Sequence, residues 1–353
     1  MSAPRHPLHL AVALDGPHPA GQEPPGPDGA RRYDADHYVR LARIAEHGTL
    51  DFVTLGDSFA RPGPDALAVL ARVAPATARI GLVPTVTTTH TEPFHVSTTV
   101  STLDWVSVGR AGWQADVSTT EAEAALFGRR PAAPPAEVWR EAGEVADVAA
   151  RLWDSWEDDA EIRDRASGRF IDRDKLHYVD FTGTTFTVRG PSIVPRPPQG
   201  RPVIVVDATG ADDGAADAVR EVAAAHADVA LVRAEDPQTA GAARDDLRAR
   251  ARAHGRDPDR LVVLASLPVE LYAPGDAAGL ADLIGDWHAD GAADGFHLRP
   301  ADPARDLGLL VDTAVPVLRE RGLLRRAYPG ATLREHLGLP RPANRYALAR
   351  EAS

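Results

Sequence analysis

The strongest constraint on the fold is a regular alternation of short apolar runs with stretches of helical periodicity. Eight runs have the length and apolar content of buried strands, at residues 8–14, 51–56, 79–85, 110–117, 202–208, 228–234, 261–267 and 295–300. Each is followed by a predicted helix, at residues 34–47, 65–76, 95–106, 137–153, 214–226, 237–254, 277–290 and 304–321. Eight strand–helix units are the number that closes a (β/α)₈ TIM barrel, an α/β fold.

A doubly wound open sheet is the alternative fold for an alternating pattern. Such a sheet usually has a glycine-rich phosphate loop after its first strand. Here the corresponding segment reads DGPHPAGQEPPGPDG and lacks the G-x-G-x-x-G spacing, so the barrel is favoured. One barrel with insertions would account for all 353 residues, although two smaller domains are the rival organisation. We therefore expect a single domain over residues 1–353, with a rim excursion at about 154–201 and a polar C-terminal tail at about 323–353.

Composition excludes several classes of function. A formal net charge of −12 argues against nucleic acid and against anionic membranes as partners, because both require clustered cations. With no cysteine, the chain can form neither a disulfide nor a thiolate nucleophile. No run has the length or flanks of a signal peptide or membrane span, so a cytoplasmic location is expected.

The barrel prediction also indicates where the active site lies. In this fold the active site is at the C-terminal ends of the strands, where the sequence places Asp57, Ser58, Thr85, Thr87, Thr88, Thr89, His90, Gln114, Asp116, Ser118, Asp207, Thr209, Arg233, Glu235, Ser266, His297 and Arg299. This ring is rich in hydroxyls, and the chain contains neither H-E-x-x-H nor G-x-S-x-G. Such a lining, without a resident metal or nucleophile, suggests that a bound cofactor carries the reaction.

Several long phrases resemble one family. RLWDSWEDDA, SGRFIDRDKLHYVDFTGTTFTVRGPSIVPRPPQGRPVIV, GRAGW, DFVTLGDS and YPGATLREHLGLPRPANRY are similar to the bacterial-luciferase-like monooxygenases of the nitrilotriacetate and dibenzothiophene-sulfone branch. The resemblance implies a TIM barrel that takes reduced FMN from a separate flavin reductase. It also implies the use of O₂ to oxygenate a small organic substrate. A homo-oligomer, or a pair with a related subunit, is expected by analogy.

Site residues follow from the resemblance by position. Asp57, Thr87, Gln114 and Ser118 are expected to contact the flavin ring and ribityl chain, and Thr209 and Gly210 the phosphate. His90 and His297 are the predicted catalytic residues. For His90 the alternative is an ordinary strand-end or capping histidine, and Thr87 to Thr89 could equally complete a strand end.

The chain departs from the family pattern around the flavin. Gln114 replaces an asparagine, Val117 a threonine and Trp139 a tyrosine, which removes two hydroxyl groups. In the turn after the fifth barrel strand, DATGADDG, Ala211 stands at the usual serine position, and Asp212 and Asp213 follow. These carboxylates would repel a phosphate dianion.

Two hypotheses therefore remain open. The first is a reduced-FMN-dependent monooxygenase, with a deazaflavin as a narrower variant because its phosphodiester carries less charge. The second is a flavin-poor homologue, which would be either a non-catalytic partner subunit or an enzyme of cofactor-independent chemistry.

Two features of the rim complete the prediction. In LWDSWEDDAEIRDRASGRF, residues 152–170, Trp153 and Trp156 are expected to anchor the excursion by burial. The neighbouring acids are expected to be solvated or to pair with Arg163, Arg165 and Arg169. After the seventh barrel strand, the long insertion that covers the site in relatives is nearly absent, so a shortened lid is expected.

Overall fold

The computed structural model describes residues 8–16, 33–60, 62–209 and 214–351. Its strands, in chain order, are β1 (His9–Ala13), β2 (Phe52–Leu55), β3 (Gly81–Thr87), β4 (Gly112–Asp116), β5 (Glu161–Asp164), β6 (Arg169–Ile171), β7 (Phe181–Thr182), β8 (Thr187–Val188), β9 (Val203–Asp207), β10 (Val229–Arg233), β11 (Val262–Val269) and β12 (Gly295–Pro300). Eight of them form a closed barrel in the order β1-β12-β11-β10-β9-β4-β3-β2, with parallel pairing throughout. The predicted TIM barrel is confirmed.

Helices alternate with the barrel strands as predicted. They are α1 (Ala35–His47), α2 (Ala66–Val73), α3 (Pro93–Val106), α4 (Glu121–Phe127), α5 (Pro135–Asp154), α6 (Ala216–His226), α7 (Pro237–Ala253), α8 (Pro274–Ala289), α9 (Pro303–Leu309), α10 (Val315–Glu320), α11 (Leu333–His336) and α12 (Arg345–Glu351). The predicted final helix is one run in which the π-helical segment Leu310–Ala314 joins α9 to α10. Among the described residues, no helix has the length and apolar character that a membrane span requires.

Apolar side chains fill the barrel interior and are sealed at its N-terminal end by the tail. Phe52, Val83 and Leu231 belong to one buried cluster that also contains Leu333, Leu337 and Leu339. The Leu333 side chain lies so close to Gly81, at the start of β3, that a Cβ there would sit 2.6 Å from Leu333 Cδ1. The prediction of a polar tail was wrong in this part, because the tail contributes buried leucines to the barrel core.

The excursion between α5 and β9 is held by its two tryptophans. Trp153 is 1% exposed and its indole N–H donates to the carbonyl of Ser97 at 3.0 Å. Trp156 donates in the same way to the carbonyl of Ser192 at 2.7 Å. Anchoring by burial is confirmed, and both indole donors are satisfied, as buried polar groups must be.

The most deeply buried of the acids beside these tryptophans has different partners from the predicted ones. Asp154 is fully buried, and its Oδ1 accepts from Arg196 Nε at 3.2 Å and Nη2 at 3.0 Å. Its Oδ2 accepts from Arg201 Nε at 3.0 Å. For Asp154 the predicted pairing with nearby arginines was wrong, because only arginines distant in the sequence reach a carboxylate that lies beneath the excursion. The predicted pairing is confirmed for Arg163, which binds Glu161.

Arg196 connects this buried carboxylate to the surface and to the tail. Its Nη1 donates to Asp158 Oδ2 at 2.8 Å, and its Nη2 donates to the carbonyl of Pro342 at 2.7 Å. Asn344 extends the same junction by donating to the carbonyls of Asp154 and Trp156 at 2.8 and 2.9 Å. One arginine thus joins the end of α5, the excursion and the tail.

The connection from β11 to α8 is short. Only the four residues 270–273 separate Val269 from Pro274. The shortened lid expected after the seventh barrel strand is present as a tight turn.

Replacing Arg196 with methionine keeps most of the side-chain length and removes the guanidinium. We expect the free energy of unfolding to fall by about 3 kcal/mol, because the buried carboxylate of Asp154 keeps only Arg201 and its Oδ1 loses both donors. Urea unfolding followed by circular dichroism measures this loss. Arg163→Met is the matched control: its pair with Glu161 is exposed, so it should cost less than about 1 kcal/mol, and equal losses in the two variants would contradict the structural role of Arg196.

Candidate active site

The predicted polar ring lies at the C-terminal ends of the barrel strands, as the fold requires. In the strand ladders, Thr85 is paired with Gln114 and Thr87 with Asp116. Neighbouring parallel strands are about 4.8 Å apart. The ends of β3 and β4 therefore form one continuous polar edge, with a cavity on each side.

The first cavity, called the β2–β3 cavity, has a volume of about 570 Å³. It is lined by Asp57, Ser58, Phe59, Asp65, Leu67, Ala68, Thr85, Val86, Thr87, His90, Thr91, Glu92, His95, Val96, Thr99, Phe127 and Arg129. Its size and mainly apolar wall are those of a small-molecule site. Of the residues predicted for the flavin and for catalysis, Asp57, Thr87 and His90 meet here, together with Ser58 and Thr85 of the predicted ring.

Polar groups in this cavity differ in how far they are already engaged. Asp57 Oδ2 accepts from the amide of Ala66 at 3.0 Å, so Asp57 helps to fix the start of α2. Thr85 is 3% exposed, and its Oγ1 has no hydrogen-bond partner among the described residues. A buried hydroxyl without a partner is costly, so Thr85 marks a place for a ligand's polar atom.

His90 has the geometry of a positioned side chain. Its φ of 65° is in the left-handed region, which non-glycine residues rarely adopt and which often marks functional sites. The ring stacks on Phe127 at 5.0 Å, and Phe59 packs edge-on against Phe127 at 4.7 Å. Nδ1 is buried without a partner among the described residues. Burial, followed by the charge of Arg130, lowers the pKa of His90, which favours the neutral imidazole.

His297 lies deeper, inside the barrel. It is 4% exposed, its Nε2 is 2.9 Å from Thr54 Oγ1, and its Nδ1 is 3.2 Å from Ser266 Oγ. Burial, and then the positive charge of Arg299, lowers the pKa of His297 to about 3. Both ring nitrogens are engaged by hydroxyls, and His297 does not line the β2–β3 cavity. Its predicted catalytic role stays a prediction.

Three other ring residues secure the strand ends. Thr88 Oγ1 donates to the carbonyl of Asp116 at 3.0 Å, and Thr89 Oγ1 accepts from the amide of Ser118 at 3.1 Å. Ser118 is 2% exposed and its Oγ has no partner among the described residues. Thr88 and Thr89 therefore complete the strand end, which was the alternative to a role in the flavin site. The hydroxyl of Ser118 has no such use among the described residues.

The second cavity, called the acidic cavity, has a volume of about 280 Å³. It is lined by Gln114, Asp116, Val117, Thr119, Pro135, Trp139, Asp207, Thr209, Ala215 and Val219. It lies where the resemblance places the phosphate end of the flavin. Thr209 is at this site as predicted, whereas Gly210, Ala211, Asp212 and Asp213 lie outside the described residues.

Two backbone amides beside this cavity already donate to side-chain carboxylates. The amide of Thr209 donates to Asp207 Oδ1 at 2.8 Å, and the amide of Val117 donates to Asp116 Oδ1 at 2.9 Å. The described lining contains these two carboxylates and neither lysine nor arginine. Like charges about 6 Å apart repel by roughly 3 kcal/mol at an effective dielectric near 20. The start of α6 would return only about 0.3–1 kcal/mol. The β2–β3 cavity is large enough for the ring of a flavin, whereas the described lining of the acidic cavity offers a phosphate no cationic side chain.

Sequence reasoning missed the aromatic wall of the β2–β3 cavity. Phe127 ends α4, a helix that was not predicted although Thr120 and Glu123 form a capping box at its start. Phe59 follows β2 and was outside the predicted set. The S/T-x-x-E spacing before an apolar run was the signal that could have revealed α4.

A family model described as luciferase-like monooxygenase matches residues 12–291. The chain belongs to the luciferase-like monooxygenase family. Members of this family are flavin-dependent oxidoreductases, and the chain is an enzyme of this class. The resemblance stated from the sequence is confirmed.

Individual relatives agree with this membership. Nitrilotriacetate monooxygenase component A of Aminobacter aminovorans is 29% identical, over 96% of this chain and 97% of that protein. One of the pristinamycin IIA synthase subunits of Streptomyces pristinaespiralis, called the synthase subunit, is 32% identical over 88% of this chain and 91% of that protein. EDTA monooxygenase (EmoA) from Chelativorans sp. BNC1 has a TM-score of 0.83 at 24% identity, over 95% of this chain and 99% of that one, and so shares the fold.

The two sequence relatives differ in how their lengths match. The alignment with component A spans 445 positions, more than the 353 residues of this chain, so component A carries segments without a counterpart here. The alignment with the synthase subunit spans 320 positions and includes 88% of this chain, about 311 residues, so few gaps are needed. In length this chain is closer to the synthase subunit.

The low pKa of His297 predicts a specific loss of stability in acid. The unfolded chain protonates this histidine near its ordinary pKa of 6.5, while the folded state keeps it neutral down to about 3. Stability is therefore fully present above pH 6.5 and falls as the pH decreases toward 3. Between pH 7 and pH 5 the contribution of His297 should fall by about 2 kcal/mol.

The measurement is urea unfolding at pH 7 and pH 5 for the native chain and for His297→Gln. The variant should be less stable at pH 7 but should lose about 2 kcal/mol less on acidification. His47→Gln, at an exposed position, is the control and should keep the native pH dependence. A native pH dependence in His297→Gln would contradict the buried neutral state of His297.

Proposed function

We propose that this chain is the oxygenating component of a two-component monooxygenase. It would receive reduced FMN from a separate flavin reductase and use O₂ to oxygenate a small organic substrate. Family membership supports the reaction class, and the β2–β3 cavity beside His90 is the observation that carries the proposal. The bound flavin would supply the reducing electrons for O₂.

The chain's own residues would bind and orient the reactants at this cavity. Asp57 and Thr87 are proposed to contact the flavin ring, with the unpartnered Thr85 hydroxyl as an additional contact. Gln114 and Ser118, across the β3–β4 edge, are proposed for the ribityl chain. The packed rings of Phe59, Phe127 and His90 would exclude water from the reacting atoms, which strengthens every polar contact inside.

His90 is proposed as the catalytic residue. Its lowered pKa favours a neutral ring near pH 7, so one nitrogen can accept a hydrogen bond while the other donates. Its Nδ1 has no partner among the described residues, and the stack on Phe127 fixes the ring plane. His297 would support the site from below through Thr54 and Ser266 rather than by contact with the substrate.

One observation favours a second candidate, a partner subunit that works with a larger family member. The chain aligns with the synthase subunit with few gaps, and the turn after β11 lacks a lid. A partner would then have to cover the open face. In this case the isolated chain would show no oxygenation even when reduced flavin is supplied.

The test of the proposed function is oxygen consumption and product formation with an added flavin reductase, NADH, FMN and a panel of small organic substrates. The native chain should incorporate oxygen into at least one substrate. His90→Asn, which suits the left-handed backbone, should lower kcat by about 100-fold because a proton-transfer group is lost.

His47→Asn replaces an exposed histidine elsewhere on the chain and should keep native activity. Native kcat in His90→Asn would overturn the role of His90 and leave the reaction class standing. Absence of any oxygenation by the isolated native chain, followed by activity once a larger family member is added, would replace the proposed function with the second candidate.

A further inference from the structure

We propose that Glu123 is a positioning residue for the reaction, because its buried carboxylate joins the loop after β2 to α4 and so holds the aromatic wall of the β2–β3 cavity against His90. The aromatic wall consists of Phe59 and Phe127. This inference rests on the proposed function, since it explains how the proposed catalytic residue is held in place.

Glu123 uses its two carboxylate oxygens on two different parts of the chain. The residue is 6% exposed. Its Oε2 accepts from Thr120 Oγ1 at 2.8 Å and from the amide of Thr120 at 3.3 Å, as in an ordinary capping box. Its Oε1 accepts from Ser58 Oγ at 3.3 Å, a contact that a capping box does not require. Ser58, Thr120 and Glu123 are together called the Glu123 bridge.

The position of α4 depends on this bridge because the helix itself is short. It has seven residues, fewer than the roughly 12 that an isolated helix needs to be stable in water. Its buried residues are Glu123 and Ala124, and Leu126 on another face is 69% exposed. With so little apolar surface to pack against the barrel, α4 is held in part by the hydrogen bond from Ser58.

Each phenylalanine of the aromatic wall lies next to one end of the bridge. Phe59 follows Ser58 directly, and the hydroxyl of Ser58 also accepts from the amide of Ala60 at 3.1 Å, which orders this loop. Phe127 lies four residues after Glu123, so the two side chains share one face of α4. The two phenylalanine rings pack edge-on, with centroids 4.7 Å apart. The bridge therefore sets how closely the two rings approach.

The aromatic wall in turn fixes the ring of His90. The rings of His90 and Phe127 stack with their centroids 5.0 Å apart and their planes within 17° of parallel. The described lining of the β2–β3 cavity includes Phe127 and His90 but not Glu123. Glu123 would thus act on a reaction in this cavity through Phe127 and His90 rather than by touching the substrate.

The charges around His90 give this role a measurable sign. Burial lowers the pKa of His90 most strongly, and Arg130 and Arg129 lower it as well, whereas Glu141 and Glu123 raise it. Arg130 donates to Glu141 at 2.7 Å, so these two charges largely offset each other. Loss of the Glu123 charge alone would therefore lower the pKa of His90 further. Loss of the aromatic wall would instead admit water to the ring and raise this pKa toward its ordinary value of 6.5.

The experiment is a pH titration of the His90 ring by NMR, on protein labelled at the histidine ring carbons, with His90→Asn to assign the signal. Glu123→Ala removes the bridge, so we expect the pKa of His90 to rise toward 6.5 although a negative charge is lost. Glu123→Gln keeps a hydrogen-bonding atom at each oxygen position. In this variant the wall should stay in place, and the pKa of His90 should not rise.

Ser58→Ala is a second variant, which leaves the capping box and the charge of Glu123 intact. We expect the pKa of His90 to rise here too. Glu121→Gln, at an exposed position in the first turn of α4, is the matched control and should keep the native pKa. Circular dichroism checks that each variant is folded.

The oxygenation assay supplies a second readout. We expect kcat to fall about tenfold in Glu123→Ala, because the catalytic ring is no longer held in one orientation. In Glu123→Gln, kcat should recover to within about threefold of the native value.

The outcomes separate this inference from the proposed function, because the NMR titration needs neither flavin nor substrate. A pKa of His90 that falls or stays native in both Glu123→Ala and Ser58→Ala would overturn the inference, whatever the chain oxygenates. A raised pKa with native kcat in Glu123→Ala would overturn the positioning role. If the native chain oxygenates no substrate and the pKa still rises in both variants, the proposed function fails while the link from Glu123 to His90 stands.

Discussion

The buried carboxylate of Asp154 is the point on which the parts outside the barrel depend. The barrel strands hold one another through their ladders, but the excursion and the tail pair with none of them. Arg196 and Arg201 neutralise this carboxylate, and Arg196 also reaches the tail through the carbonyl of Pro342. A buried ion pair is weak evidence for net stability, but breaking one leaves an uncompensated charge. Its main effect here is to fix where two long segments lie.

The barrel could be predicted because its strands are buried on both faces. Residues 203–206 read Val-Ile-Val-Val, a short β-branched run that is typical of a parallel strand covered on both faces. The two tryptophans of the excursion were also predicted correctly, since large aromatic side chains are buried wherever the fold allows. Local composition suffices where burial alone decides the structure.

Other elements depend on contacts between residues far apart in the sequence. Arg196 lies 42 residues from Asp154, and no local pattern distinguishes it from the arginines nearer to that carboxylate. His90 follows β3 and His297 lies within β12, yet the sequence does not show that one faces a cavity beside Phe127 and the other is enclosed by Thr54 and Ser266. At the acidic cavity, by contrast, the substitutions relative to the family pattern could be read from the sequence. The structure added the backbone amides that donate to Asp116 and Asp207.

The leucines that seal the N-terminal end of the barrel have a consequence for how the chain folds. Leu333 packs at the start of β3, although it is synthesised after all eight barrel strands. The core around Val83 and Leu231 therefore stays open to water while the strands leave the ribosome. Exposed apolar surface of this kind makes a folding intermediate prone to aggregation. Closure of the core thus waits for the synthesis of Leu333, Leu337 and Leu339.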